Sequence, residues 1–208
     1  MRLERLETSH RGRLRVALFP EEKGKPGRSR PWHEACDVEN AMINNLTELY
    51  YDQLRDLYSA ETQMIQNLPG MVQAATDQRL KEAFSSHLEE TRKQKSRLEQ
   101  ICSRHGISPV GEECQAMNGL AKEAKSDAEK TLPGSVRDAV LIAAANRIEH
   151  YEIAGYGVAR AFADCLEFSD DVDQLTETLD EEGAADRTIT EIATGSLFRH
   201  GVNEAAVR

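Results

Sequence analysis

From Ile43 onward, apolar residues recur at spacings of three and four through nearly the whole of this 208-residue chain. That period belongs to helices that bury one face, and it excludes a β-sandwich or barrel, whose strands alternate with a period of two. The first stripe runs through Leu46, Leu49, Tyr50, Leu54, Leu57, Glu61, Met64, Ile65 and Leu68. Pro69-Gly70 is expected to kink or interrupt this helix, with Met71 to Ala75 continuing it after the break. Thr76 and Asp77 are good caps for a second helix over 78–105, closed by Gly106. Its inward face reads Leu80, Phe84, His87, Thr91, Gln94, Leu98 and Ile101.

A linker from Gly106 to Pro133 follows, with a short helix expected over 112–125. A helix as long as the second is about 42 Å at 1.5 Å per residue, so this linker is long enough to run back along a bundle. Ser135 and Asp138 resemble a capping box that opens a third helix over 136–165. Ser169 can cap a fourth over 170–199, ending near Gly201. Two antiparallel hairpins joined by one long crossover, with a short extra helix in it, is the connectivity of a ferritin-like four-helix bundle. The fold class is therefore all-α, with the bundle over 42–201 and a C-terminal tail over 202–208.

Residues 1–41 read differently. Pro20, Pro26 and Pro31 and clustered Arg and Lys interrupt any periodicity, so the segment is expected to be a disordered or loosely attached extension. It is either a basic arm or an over-long start; a helical pattern beginning directly after Met42 favours the second.

The formal net charge of −10 argues against nucleic acid as a partner. No apolar run reaches the roughly 20 residues that span a bilayer. Cys36, Cys102, Cys114 and Cys165 form no CxxC pair and suggest neither a zinc site nor a disulfide framework, which places the chain in a reducing cytoplasm.

The functional signal is acid on faces that ought to be apolar. Glu61 lies between Leu57, Met64, Ile65 and Leu68; His87 and Glu90 are neighbours on one helix face. Glu149 and Glu152 share the stripe of Leu141, Ala145, Ile148 and Tyr156, and Glu182 and Asp186 fall between Leu175, Leu179, Ile189 and Ala193. Side chains facing each other across a hairpin must be centred on its turn. Glu61 and Glu90 are centred between residues 75 and 76, and Glu152 and Glu182 on residue 167, where the two turns are expected. Both hairpins thus bring acids to one level.

Burying several carboxylates without a counter-charge costs several kcal/mol each, about what a bound cation offsets. Oxygen donors with an imidazole suit iron or manganese, and the lack of thiolates argues against structural zinc. The bland alternative is ordinary: a single acid on an apolar stripe is usually a stripe edge or an ion-pair partner, and Arg147 is close enough in sequence to pair with Glu149 or Glu152.

Several stretches resemble the YciE/YciF family of bacterial ferritin-like, rubrerythrin-like stress proteins. They are Asp56 to Glu61, Ala83 to Thr91, Cys114 to Leu120, Asp138 to Ala145, Ile148 to Ala154 and Thr178 to Glu182. The resemblance runs from Leu46 to near the C-terminus and implies a homodimeric helical bundle linked to stress responses. It further implies a di-iron-type centre that acts on peroxide, oxygen or iron(II), one Glu from one helix of each hairpin meeting a Glu-x-x-His pair from the other. Carried onto this chain, Glu61 takes the first single-Glu role and Glu149 or Glu152 the second. The pair in the second helix is reversed, His87 preceding Glu90, and no His follows Glu182 by three; Asp186 is the nearest substitute. The expected ligands are Glu61, His87, Glu90, Glu149, Glu152, Glu182 and Asp186, with iron as the expected metal and manganese as a second choice. The rival expectation is a metal-free helical dimer that works through protein contacts.

Overall fold

The computed structural model describes residues 42–196 and 199–207, so the expectation for the N-terminal extension lies outside the described residues. Four long helices form the bundle: α1 (Leu46–Ala74), α2 (Gln78–Arg104), α4 (Ser135–Cys165) and α5 (Ser169–Thr194). A shorter α3 (Gln115–Glu129) occupies the crossover and lies against α1 and α4. After α5 come β1 (Gly195–Ser196), β2 (Arg199–His200) and α6 (Val202–Ala206).

Local chemistry fixes several helix ends. Asn45 caps α1 by accepting from the Glu48 amide at 2.9 Å, while the Glu48 carboxylate accepts from the Asn44 amide at 2.8 Å. Asp77 caps α2 by accepting from the Arg79 amide at 2.8 Å. At the other end Gly106 takes φ +66°, and the Ile107 and Gly106 amides bond back to the Cys102 and Ser103 carbonyls. That is a Schellman ending, which needs the left-handed conformation glycine adopts freely.

Four expectations about boundaries change. Pro69 does not interrupt α1, which runs on to Ala74. Leu68 and Met71 on either side are both buried, and that burial outweighs the single hydrogen bond proline removes. The crossover helix starts later than expected because Cys114 occupies its cap, with its amide bonded to Ser59 Oγ at 2.8 Å.

Ser135 and Asp138 do not form a capping box. Gly134 is the cap of α4 and makes no side-chain cap bond; Ser135 Oγ donates to the Ala205 carbonyl instead. Asp138 is buried and reaches across to the α1–α2 turn, accepting from the Thr76 amide at 2.6 Å, the Asp77 amide at 2.9 Å and the Thr76 hydroxyl. Its value is therefore to lock one hairpin to the other.

Finally, α5 begins at Ser169 with Phe168 in the cap position and stops at Thr194, short of Arg199. Gly195 takes φ +76° there, and a Cβ on it would lie 2.4 Å from the Gly201 amide nitrogen. The chain folds back through this close approach, and the expected tail forms α6 with Val202 buried.

The apolar interior divides in two. One cluster contains Met64, Leu68, Phe84, Leu141, Ile148 and Ile189; the other contains Tyr50, Leu54, Leu57, Leu98, Tyr156 and Leu175. Glu61, His87, Thr91, Gln94, Glu149, Glu152, Thr178 and Glu182 fall between members of the first cluster and members of the second along their helices, whereas the buried Asp138 and Asp171 sit near the starts of α4 and α5, outside that level. A polar layer thus crosses the middle of the bundle, sealed by hydrocarbon above and below. Among the described residues no helix is long and apolar enough to cross a membrane.

Candidate metal centre

All four long helices supply the polar layer. Glu61 comes from α1, His87 from α2, Glu149 and Glu152 from α4 and Glu182 from α5, and none is more than 4% exposed. One ligand atom from each of His87, Glu149, Glu152 and Glu182 can be chosen so that all four lie within 4.8 Å of one another. His87 Nε2 stands 3.3 Å from Glu149 Oε1 and 4.0 Å from Glu182 Oε2.

These groups are not satisfied by one another. Both ring nitrogens of His87, both carboxylate oxygens of Glu182, Glu149 Oε2, Glu152 Oε1 and Glu61 Oε2 are buried without a hydrogen-bond partner. Buried polar groups in native proteins are nearly always partnered, so such a concentration of orphans at one level needs a cause. Glu61 is held on one side only, its Oε1 accepting from the Tyr156 hydroxyl.

Electrostatics sharpens the point. Burial pushes the Glu61, Glu149 and Glu152 carboxyls well above the ordinary carboxylate range, and the neighbouring acids push them further: Glu182 acts on Glu61 and Glu149, and Glu61 acts on Glu152. Glu182 is raised by burial too, with the His87 ring working against the rise. Burial and the adjoining Glu61 likewise push the Tyr156 hydroxyl well above its ordinary value.

Among the described residues, no Lys or Arg forms an ion pair with any of these acids. Arg147 pairs with Glu123 at 3.5 Å on the surface rather than with Glu149 or Glu152. Arg97 is engaged by Glu177 and Glu181, both at 2.5 Å. Among the described residues the core acids are therefore not paired by Lys or Arg, and His87 is the one cationic-type side chain within 4.0 Å of Glu149 and Glu182. The donor set that remains is carboxylate oxygen plus one imidazole, which fits iron or manganese and not a thiolate-bound structural zinc.

Two expected ligands stand at the margin. The Glu90 side chain is 37% exposed, with Oε2 3.7 Å from His87 Nδ1, and the His87 ring beside it holds its carboxyl below the usual range. Asp186 accepts from Asn146 Nδ2 at 3.0 Å and lies 3.4 Å from the exposed ring of His150. The helix-two face is otherwise as the spacing predicts: every residue expected inward is buried, and Cys102 joins them. Sequence reasoning placed Tyr156 in the stripe without a role. Its position four residues after Glu152 is the signal that it belongs beside the acids.

The class defined by this fold and site is a helical bundle of two hairpins whose core is crossed by a buried histidine–carboxylate layer. More particularly, the chain belongs to the family described as a domain of unknown function (DUF892), whose profile matches residues 45–206. It is 37% identical over 164 residues to Protein YciF of Escherichia coli (strain K12), covering 78% of this chain and 99% of that protein. The crystal structure of the Escherichia coli stress protein YciF superposes with a TM-score of 0.69 at 38% identity, over 72% of this chain and 94% of that one. YcfI of Rhodopseudomonas palustris, described as a proposed structural protein, superposes with a TM-score of 0.72 at 40% identity, over 75% and 99% of the respective chains. A Xanthomonas campestris protein at 17% identity and a TM-score of 0.58 shares the fold, covering 71% of this chain and 89% of that one.

Proposed function

We propose that this chain is a metal-binding stress protein with a carboxylate-rich dinuclear centre of the di-iron type in its bundle core. The observation that carries the reading is the set of buried, unpartnered donors on His87, Glu149, Glu152 and Glu182, with Glu61 alongside. Uncompensated buried acids are expensive, and a cation at their focus removes that cost. Stress is the context because the similar YciF of Escherichia coli is described as a stress protein.

The chain's own residues do four things at such a centre. His87 presents its ring Nε2 toward Glu149 and Glu182. The acids give up their protons as a cation binds, so binding is proton-coupled and weakens at low pH. Tyr156 holds one oxygen of Glu61 and leaves the other free. The two apolar clusters keep bulk water away from the layer. Iron bound there supplies one-electron chemistry toward oxygen or peroxide, while manganese suits the same donors. We place the protein in the cytoplasm as a homodimer; free thiols at Cys102, Cys114 and Cys165 suit a reducing compartment.

The test is an anaerobic iron(II) titration of wild type, Glu61→Ala and Glu152→Ala, followed by oxygen or peroxide and optical spectroscopy. About two irons per chain, a ferric absorption after oxidation and loss of both in the variants is the expected result. No binding of iron, manganese or zinc by any variant refutes the metal reading. It would favour a metal-free dimer acting through protein contacts.

A further inference from the structure

A cation cannot reach this layer through the ends of the bundle, where the two apolar clusters close it off. At Gly155, beside Glu152 and Tyr156, α4 packs tightly on α1, and a Cβ there would lie 2.8 Å from Leu57 Cδ2; the larger cavity between α1, α3 and α4 is lined by Met71, Leu141 and Ile148 and by none of the layer's donors. The seam between α2 and α5 is different. A cavity of about 110 Å³ opens there, walled by the small side chains of Ala83 and Ser86 from α2 and of Ala184 and Ala185 from α5. Its wall includes His87 and Glu90 as well.

The lining of this cavity ranges from exposed to buried. Ser86 and Ala184 are exposed, Ala83, Ala185 and Glu90 are half-buried, and His87 is buried. The volume is enough for about three water molecules at roughly 30 Å³ each, and therefore for a partly hydrated cation. At the inner end His87 offers a buried Nδ1 without a hydrogen-bond partner, 3.7 Å from Glu90 Oε2. The opposite edge of the same ring, Nε2, faces Glu149 and Glu182. Glu90 is thus an acid that touches solvent and stands one step from a histidine, which in turn stands one step from the buried acids.

Resting on the reading of the layer as a metal centre, we propose that the α2–α5 cavity is the port through which a divalent cation enters, with Glu90 as its first ligand. Glu90 draws the hydrated ion in and His87 and the inner acids take it over, so Glu90 sets the rate of loading. The small residues at positions 83, 86, 184 and 185 keep the passage open, and a larger side chain on either wall obstructs it.

The experiment is stopped-flow absorption of cobalt(II) uptake by the full chain, with the final stoichiometry read after long incubation. Ala185→Leu and Ala83→Leu place the same isobutyl group on opposite walls, so one informative variant survives if the other folds poorly; circular dichroism melts decide which is folded. Ala161→Leu, on the exposed face of α4, is the size-matched control. Each wall variant should slow uptake by roughly tenfold or more and reach the wild-type end-point, while the control keeps the wild-type rate. Glu90→Gln should slow uptake by roughly tenfold and flatten the dependence of the rate on ionic strength.

Wild-type rates in both wall variants and in Glu90→Gln overturn the port. Loss of end-point occupancy in Glu90→Gln makes Glu90 a resident ligand and overturns its role in entry. Wild type that binds neither cobalt(II) nor iron(II) at equilibrium refutes the metal reading and the port together, whereas binding with unaltered rates refutes the port alone.

Discussion

Glu152→Gln should stabilise the metal-free protein, and the gain should grow with pH. Glu152 is the cleanest choice because burial, Glu61, Glu182, Glu149 and Cys114 all raise its pKa. A glutamate in the unfolded chain titrates near about 4.3. Above that pH the native chain holds more protons than the unfolded one, so native stability falls as pH rises, by at most about 1.4 kcal/mol per unit for one proton. Because its folded-state pKa is raised, Glu152 makes the native state lose stability progressively as pH rises from there toward neutrality, on the order of a few kcal/mol. The glutamine amide avoids that cost but brings its own unsatisfied burial, about 1 kcal/mol at the low end of the range for such groups. The net gain is about 2–3 kcal/mol at pH 7 and close to zero at pH 5. In a chain of this length that is roughly 5–10 °C in Tm at neutral pH. Urea or thermal melts of chelator-treated protein between pH 5 and 8 measure it. With metal the order reverses, because wild type gains from binding and the variant does not. A variant less stable than metal-free wild type at pH 7, or a difference that ignores pH, refutes the account of an uncompensated acid layer.

Two further predictions concern acids outside the layer. Asp171 is buried at the start of α5 and accepts from the Tyr50 hydroxyl at 2.9 Å, from Arg104 Nη2 at 2.6 Å and lies 2.5 Å from His105 Nε2. Asp171→Ala leaves these partners unmatched and should cost about 2–4 kcal/mol in urea unfolding without altering metal stoichiometry. Asp138→Ala removes the tie between α4 and the α1–α2 turn. It should cost about 2–3 kcal/mol and raise hydrogen exchange at Thr76 and Asp77, whereas exchange spread evenly over both hairpins would contradict that tie.

The helices themselves were legible because helical periodicity is a local property. An apolar stripe of three- and four-residue spacing needs one side of a helix buried whatever lies opposite, so the inward face of α2 follows from its residues alone. The same logic exposed Glu61, Glu149, Glu152 and Glu182 as acids on the wrong side of their helices, and all four are buried. Matching Glu61 with Glu90 and Glu152 with Glu182 about the two turns set the expected level, at which Glu90 is half-exposed and the other three are buried.

Tertiary structure decided what a helical wheel cannot resolve. His87 and Glu90 differ by about 60° around the axis at 3.6 residues per turn, and the position of α5 turns that difference into one buried ring and one half-exposed acid. Tyr156 holds Glu61 from 95 residues away, and Asp138 bonds Thr76 across 62 residues. The C-terminal reversal depends on Gly195 meeting Gly201, a contact that no periodicity announces. Burial stripes are written into neighbouring residues, but the partner of a polar group depends on which helix is brought alongside, and only the assembled bundle fixes that.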